Sequence, residues 1–167
     1  MNKSLLIKGV ILVVALQVIV LITEYVNSVY PLWFGKEIKL NTVPVDPRSL
    51  FRGNYARLNY DISRLPTPVD TDQRLRRNTI VYVSLKKNKD GIHEFKGITV
   101  DKPDDGIFIR GRWASGRVRY GIEAFFAPKA KALKLERELP KGGVAVVMVA
   151  SNGKASLQEV IPNEVRK

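Results

Sequence analysis

The 167-residue chain has no cysteine and a single histidine. Without cysteine the protein has no disulfide, no thiolate metal site and no thiol nucleophile. A lone histidine cannot build a histidine-rich metal centre, and the position of His93 near the start of a predicted strand indicates an exposed strand-end residue. We therefore expect a fold that depends on its hydrophobic core for stability.

The sequence also lacks the usual signatures of an active site. It has no glycine-rich phosphate loop, and no serine and lysine have the spacing of a serine–lysine catalytic pair. Asp101, Asp104 and Asp105 share one predicted turn, but Lys102 lies among them and the EF-hand pattern is missing. We predict a protein that is not an enzyme and has no cofactor and no metal, with a membrane-anchored hydrolase as the most distant alternative.

One long apolar run is present near the N-terminus. Residues 5–22 are apolar except for one lysine, one glycine and one glutamine. About 18 helical residues span about 27 Å, close to the ~30 Å hydrocarbon core of a bilayer. The following residues, 23–28, lack the small-residue pattern of a signal peptidase site. We predict an uncleaved transmembrane anchor; a cleaved signal peptide and a buried core helix are the alternatives.

The charges around this run predict its orientation. Lys3 precedes the run, Lys8 lies about one turn inside its N-terminal end, and no acidic residue precedes Glu24. By the positive-inside tendency, the N-terminus is cytoplasmic and the remainder is extracytoplasmic. We predict a single-pass protein of the inner (cytoplasmic) membrane with a periplasmic C-terminal domain.

The residues after the apolar run predict where the anchor ends. Pro31 indicates that the helix stops by about Val29. Trp33 and Phe34 belong either to an interfacial aromatic belt or to the core of the following domain. The predicted division is an anchor over residues 1–29 and a β domain over residues 30–167.

The formal net charge of +12 points to acidic partners. Next to a membrane, such charge favours contact with anionic lipid head groups. Nucleic acid is the other common partner of a basic domain, but an extracytoplasmic location argues against it. We therefore predict membrane lipid, and not nucleic acid, as a partner.

The remainder of the chain predicts a mainly β fold of antiparallel hairpins, arranged as a partly closed barrel or a sandwich, with one short helix. Asn152-Gly153 is a strong hairpin signal. Residues 63–78 are predicted to form a surface loop and residues 130–139 the short helix. The predicted strands are residues 37–43, 55–62, 79–87, 93–100, 107–113, 117–126, 144–149 and 155–161.

One hairpin can be predicted in register. A two-residue Ser115-Gly116 turn places Trp113 opposite Val118 and Ile109 opposite Ile122, so that the apolar residues share one face. The other face then places Arg112 opposite Arg119. It is either a solvated surface or a site for an anion or a partner, and its candidate residues are Arg110, Arg112, Arg117, Arg119 and Glu123.

The densest motif is Gly-Asn-Tyr-Ala-Arg-Leu-Asn-Tyr at residues 53–60. Together with residues 45–48 and 51–52 upstream, residues 120–123 and 125–128 downstream, and the anchor, it resembles the GDYXXLXY family of membrane-anchored bacterial proteins. Asn54 departs from the family's aspartate and removes a carboxylate from that position. The family carries no established activity; its members are often encoded beside a polytopic membrane protein, which implies such a partner here.

The residues of this motif also indicate a structure of their own. A bulge near Ala56 and Arg57 would turn Tyr55 towards the core. The segment is either a buckled corner fixed by an aspartate–arginine pair or a rim site for a polar or anionic group. The candidate residues of that rim are Asp46, Arg48, Arg52, Gly53, Asn54 and Tyr55.

These observations predict a membrane-anchored accessory protein that docks on an integral membrane protein complex through its β domain. The alternative is a tethered domain that binds anionic envelope ligands or lipid head groups.

Overall fold

A computed structural model describes residues 3–43, 55–64, 75–126, 128, 135, 139 and 142–163. The expected mainly β architecture after one N-terminal helix is confirmed. The elements are α1 Lys3–Phe34, β1 Lys36–Val43, β2 Tyr55–Arg57, β3 Asn59–Tyr60, a 3-10 turn Asp61–Ser63, β4 Ile80–Lys87, β5 His93–Thr99, β6 Ile107–Ala114, β7 Arg117–Arg119, β8 Ala124–Phe126, β9 Gly143–Val149 and β10 Ala155–Pro162.

The strands form antiparallel sheets that wrap one core. One sheet has the order β10-β9-β1-β3, a second β5-β4-β6-β7, and β2 pairs with β8. Two backbone donors join the larger sheets: Lys39 N donates to His93 Nδ1 at 3.2 Å, and Arg110 N donates to Gly153 O at 2.8 Å. The first links β1 to β5 and the second links β6 to the β9–β10 turn, so the sheets form a partly closed barrel.

Both larger sheets contribute to a single hydrophobic cluster. Alternation along β1 and β4 points every second side chain inwards, as the period of a half-buried strand requires. The largest fully buried side chains of this cluster are Ile38, Leu40, Tyr60, Val81, Val83, Ile109, Val118 and Val147.

The apolar part of helix α1 is hydrophobic on all sides and is not covered by the described part of the protein. The segment Ile7–Phe34 is long and apolar enough to cross a membrane, and none of its most hydrophobic window is buried. The polar Thr23 hydroxyl is satisfied within the helix, donating to Ile19 O at 2.8 Å. The alternative interpretation of the apolar run as a buried core helix is therefore wrong, and the helix has the character of a single-pass anchor.

The expected helix end near Val29 is wrong, because α1 continues through Pro31 to Phe34. A proline inside a helix lacks the N–H that would bind the carbonyl four residues earlier, here that of Asn27. The side chain of Lys154 replaces that donor: its Nζ donates to Asn27 O at 2.7 Å. The division of the chain at residue 29 stays a prediction.

The junction between α1 and the β domain is tightly packed. Pro31 is fully buried, and Gly35 alone separates α1 from β1. A side chain on Gly35 would collide with Pro31 O and come within 2.9 Å of Val149 N. Trp33 and Phe34 are 60% and 70% exposed, so their assignment to the domain core is wrong and the interfacial belt stays a prediction.

Two predicted strands are divided in the structure. Residues 55–62 change partner at Leu58, because β2 pairs with β8 while β3 pairs with β1. The three pairs of β2 show no register shift, so the bulge expected near Ala56 and Arg57 is wrong. Of the predicted helix 130–139, the structure describes only Leu135 and Leu139, both buried, and most of the 63–78 loop lies outside the described residues.

Candidate functional site

Two side chains of the described part of the family motif, residues 55–60, lie in the hydrophobic core. Leu58 is 2% exposed and Tyr60 1% exposed, and Leu58 N donates to Glu123 O at 2.8 Å. The Tyr55 backbone pairs with Phe126. The corner residues predicted upstream, Asp46, Arg48, Arg52, Gly53 and Asn54, lie outside the described residues, as does the side chain of Tyr55.

Two buried tyrosines connect the motif to the segment after β7. The Tyr60 hydroxyl donates to Ile122 O at 2.6 Å, and the Tyr120 hydroxyl donates to Ile62 O at 2.6 Å. Burial, reinforced by the Glu123 charge, raises the pKa of both phenols well above the usual value. Both tyrosines therefore serve as neutral hydrogen-bond donors that fix two backbone segments.

The chain turns sharply after Tyr120, which corrects the predicted 117–126 strand. β7 ends at Arg119, and the carboxylate of Glu123 then accepts Tyr120 N at 2.6 Å and Gly121 N at 2.9 Å. The predicted pairing of Ile109 with Ile122 is therefore wrong, since the strand has already ended. Glu123 uses both carboxylate oxygens on its own turn.

The register of the β6–β7 hairpin is confirmed. Arg112 lies opposite Arg119 and Trp113 opposite Val118, across the Ser115-Gly116 turn. Like charges directly opposite one another are unfavourable by about 0.2–1 kcal/mol. Among the described residues, the Arg112 guanidinium makes only long hydrogen bonds of 3.4 Å, to the backbone oxygen and side-chain oxygen of Asn78.

These arginines border a basic groove of about 800 Å³. Its floor and rims come from β6, the Tyr120–Glu123 turn, the approach to β4 and the start of β10. Apolar wall is supplied by Ile80, Trp113 and Ala155. Among the described residues, the cationic side chains that line the groove are Arg77, Arg110, Arg112, Arg119 and Lys154, and the one carboxylate is that of Glu123.

The structure thus divides the predicted arginine face. Arg110, Arg112 and Arg119 border the basic groove, whereas Arg117 lines a separate groove of about 520 Å³ that also includes Arg57 and Arg119. Sequence analysis missed Arg77 and Lys154. The only signal for Lys154 was its position directly after the Asn152-Gly153 turn, which does not reveal that the turn docks on β6.

Gly153 sets the distance between that turn and β6. It has a φ of 78°, a conformation that favours glycine. A Cβ at this position would lie 3.0 Å from both Arg110 N and Arg110 Cβ. The absence of a side chain at Gly153 therefore lets Lys154 and Arg110 approach the same groove.

His93 lies on the opposite seam of the barrel. It is 5% exposed, so the exposed strand-end residue expected from the sequence is wrong. Its Nδ1 accepts Lys39 N from the unpaired side of β1, which requires a neutral nitrogen. Burial, with a smaller contribution from the Lys87 charge, lowers the pKa of His93.

Within the described ranges, no three histidine, cysteine or acidic side chains converge as a metal-binding group. Asp101, Asp104 and Asp105 are all exposed.

Comparison with known proteins gives one relationship. The family model described as GDYXXLXY protein matches residues 17–160. No curated protein and no solved structure matches the chain.

Proposed function

The chain belongs to the GDYXXLXY family, and from this membership we propose that it is a membrane-anchored accessory protein that docks on an integral membrane protein. The role is non-catalytic and does not involve nucleic acid. The proposal also places the N-terminus in the cytoplasm and the β domain in the periplasm, at the inner membrane.

The observation that carries this proposal is the rigid junction between α1 and the β domain. Lys154 donates to the helix backbone at Asn27, Pro31 is buried, and Gly35 leaves no room for a side chain. A domain fixed in this way presents one constant surface to a neighbour in the same membrane. An accessory subunit needs such preorganisation, because it lowers the entropy cost of docking.

The exposed apolar circumference of α1 offers the first contact surface. In a bilayer it faces either lipid or the helices of a neighbouring protein. Helices associate in membranes through close packing at small residues, and outside the helix backbone no described atom lies within 4 Å of the position that a Cβ on Gly9 would take. We place the primary contact with the partner on this helix, with the predicted corner at Arg52 to Tyr55 as a second contact.

Site-specific photo-crosslinking in cells tests the partner. A photoreactive residue at Leu12 or Leu16, both exposed on α1, is expected to give an adduct that contains an integral membrane protein. The same probe at Lys102, in the exposed loop after β5, is the matched control and should give none. Failure of both helix positions to crosslink any integral membrane protein contradicts the docking proposal.

Cysteine labelling tests the orientation, since the native chain has no cysteine. A membrane-impermeant maleimide should label Lys96→Cys in cells with a permeabilised outer membrane, and Ser4→Cys only after the inner membrane is broken. The reverse pattern contradicts the proposed topology. Intact-mass measurement of the purified protein separates an uncleaved anchor from a cleaved signal peptide.

The basic groove favours a second candidate function, a tethered domain that binds anionic ligands of the cell envelope. Within the described part of the chain, five cationic residues surround the groove and its one carboxylate is occupied by backbone N–H groups.

A further inference from the structure

We propose that the basic groove binds the phosphate of an anionic lipid head group. The inference concerns lipid bound to the β domain and stands independently of any protein partner. It rests on three observations: the charge of the groove, its depth relative to the anchor, and the chemistry of its walls.

The groove concentrates positive charge that the described protein does not neutralise. Arg112 and Arg119 lie directly opposite each other, and both Glu123 oxygens accept backbone N–H groups of the Tyr120–Glu123 turn. None of Arg77, Arg110 and Arg119 pairs with a carboxylate among the described residues. A bound anion would relieve this repulsion, and the planar guanidinium fork suits the oxygens of phosphate.

The anchor places the groove at the level of the head groups. Lys154, on the rim, donates to Asn27 O, five residues beyond the apolar run that ends at Ile22. Five helical residues rise about 8 Å, which matches the head-group layer of about 5–8 Å on each side of a bilayer. Arg110 is adjacent, since its backbone N–H donates to Gly153 O at 2.8 Å.

The walls favour a lipid over free phosphate. Ile80, Trp113 and Ala155 give the groove an apolar side beside its arginines. Inorganic phosphate gains nothing from such a wall, whereas the glycerol and upper acyl carbons of a phospholipid can pack against it. The volume of about 800 Å³ lies in the range of small-molecule sites.

Trp113 reports binding directly. The chain has two tryptophans, Trp33 and Trp113, so the Trp33→Phe variant leaves the groove tryptophan as the sole one. Full-length Trp33→Phe protein in neutral detergent is titrated with a short-chain phosphatidylglycerol. We expect a saturable change in Trp113 fluorescence, and little change with phosphatidylcholine of the same chain length.

Two triple variants separate a built site from bulk charge. Arg110→Gln/Arg112→Gln/Arg119→Gln should weaken phosphatidylglycerol binding by about tenfold or more, because it removes several charge-assisted hydrogen bonds. Lys89→Gln/Lys96→Gln/Lys102→Gln removes the same charge from exposed lysines that do not line the groove and should leave affinity within about twofold. Since Arg110 is half-buried, the exposed double variant Arg112→Gln/Arg119→Gln provides the same test if the triple variant does not fold.

Three results would overturn the proposal. If the arginine and lysine variants lose the same affinity for phosphatidylglycerol, binding depends on the overall charge of the domain and not on the groove. If phosphatidylcholine binds with the same affinity as phosphatidylglycerol, binding depends on the acyl chains and not on the phosphate group of an anionic lipid. Inorganic phosphate that matches phosphatidylglycerol in affinity would show an ion site without a lipid. None of these results bears on the crosslinking test of the protein partner, so the two proposals fail separately.

Discussion

Tyr60 and Tyr120 are bound in a reciprocal arrangement: each donates its hydroxyl to the backbone carbonyl two residues beyond the other tyrosine. Tyr60 is the last residue of the family motif, and Tyr120 begins the turn that follows β7. The two side chains therefore join segments that are 60 residues apart into one unit, which gives the last residue of the motif a structural role.

Removal of either hydroxyl should destabilise the protein. Tyr60→Phe or Tyr120→Phe leaves a buried carbonyl without its donor, and each should lower the free energy of unfolding by about 1–3 kcal/mol. Thermal unfolding followed by circular dichroism measures the loss. Tyr82→Phe, on a half-buried tyrosine that packs edge-on against Phe108, is the control and should stay within about 0.5 kcal/mol. An equal loss of stability from all three Tyr→Phe substitutions would contradict a special role for the hydroxyl hydrogen bonds of Tyr60 and Tyr120.

The same tyrosines predict a loss of stability at alkaline pH. Burial raises the pKa of both phenols above 10.0, the value for an exposed tyrosine. Above about pH 10 the unfolded chain therefore releases protons that the folded protein retains, so the free energy of unfolding falls as pH rises. The Tyr60→Phe/Tyr120→Phe double variant should show a shallower fall between pH 9 and 11, measured by urea unfolding. If the free energy of unfolding of the double variant falls with pH as steeply as that of the native protein, the pKa values of these two phenols are not raised.

His93 predicts a loss of stability at acidic pH. Its pKa is lowered by burial, so the folded protein keeps the ring neutral where the unfolded chain protonates it. The neutral ring therefore contributes fully to the free energy of unfolding above pH 6.5, and this contribution is lost as the pH falls through the lowered pKa of His93. Unfolding midpoints measured from pH 7 to pH 5 should decline, and His93→Gln should remove part of that decline. Since His93 is the only histidine, no other imidazole contributes.

The contact between Lys154 and Asn27 O can be tested by a double-mutant cycle. Lys154→Met removes the donor to the carbonyl that Pro31 leaves open, so α1 should move more freely against the β domain. Pro31→Ala restores the helical N–H and should reduce the effect of the lysine substitution. Spin labels at Val18→Cys and Lys96→Cys report the motion as a broader distance distribution. Lys89→Met is the control, and identical broadening with and without Pro31→Ala would refute the coupling.

The sequence predicted local features better than long-range ones. The Ser115-Gly116 turn and the alternating apolar residues determine the Arg112–Arg119 register, and both are local, so that register was predictable. The break at Leu58 was not predictable, because it arises where β2 pairs with β8 and β3 pairs with β1, and both partners are distant in the sequence. Similarly, Pro31 suggests a helix end when considered alone, and only the distant Lys154 explains why the helix continues.

The candidate site shows the same limit. Three arginines of the groove were recognisable from one hairpin, but Arg77 and Lys154 join it only through tertiary contacts. His93 was misjudged for a related reason. Its strand-end position suggested exposure, while its burial comes from the edge of β1 across the barrel.

Gly35 is the only residue between the anchor helix and the first strand. A linker of one residue leaves the β domain little freedom to move relative to the helix. With the helix in a bilayer, any ligand or partner must arrive at the membrane surface or diffuse laterally within it. Encounters with other membrane-bound molecules would then occur in two dimensions, at rates set by the abundance of those molecules in the membrane plane.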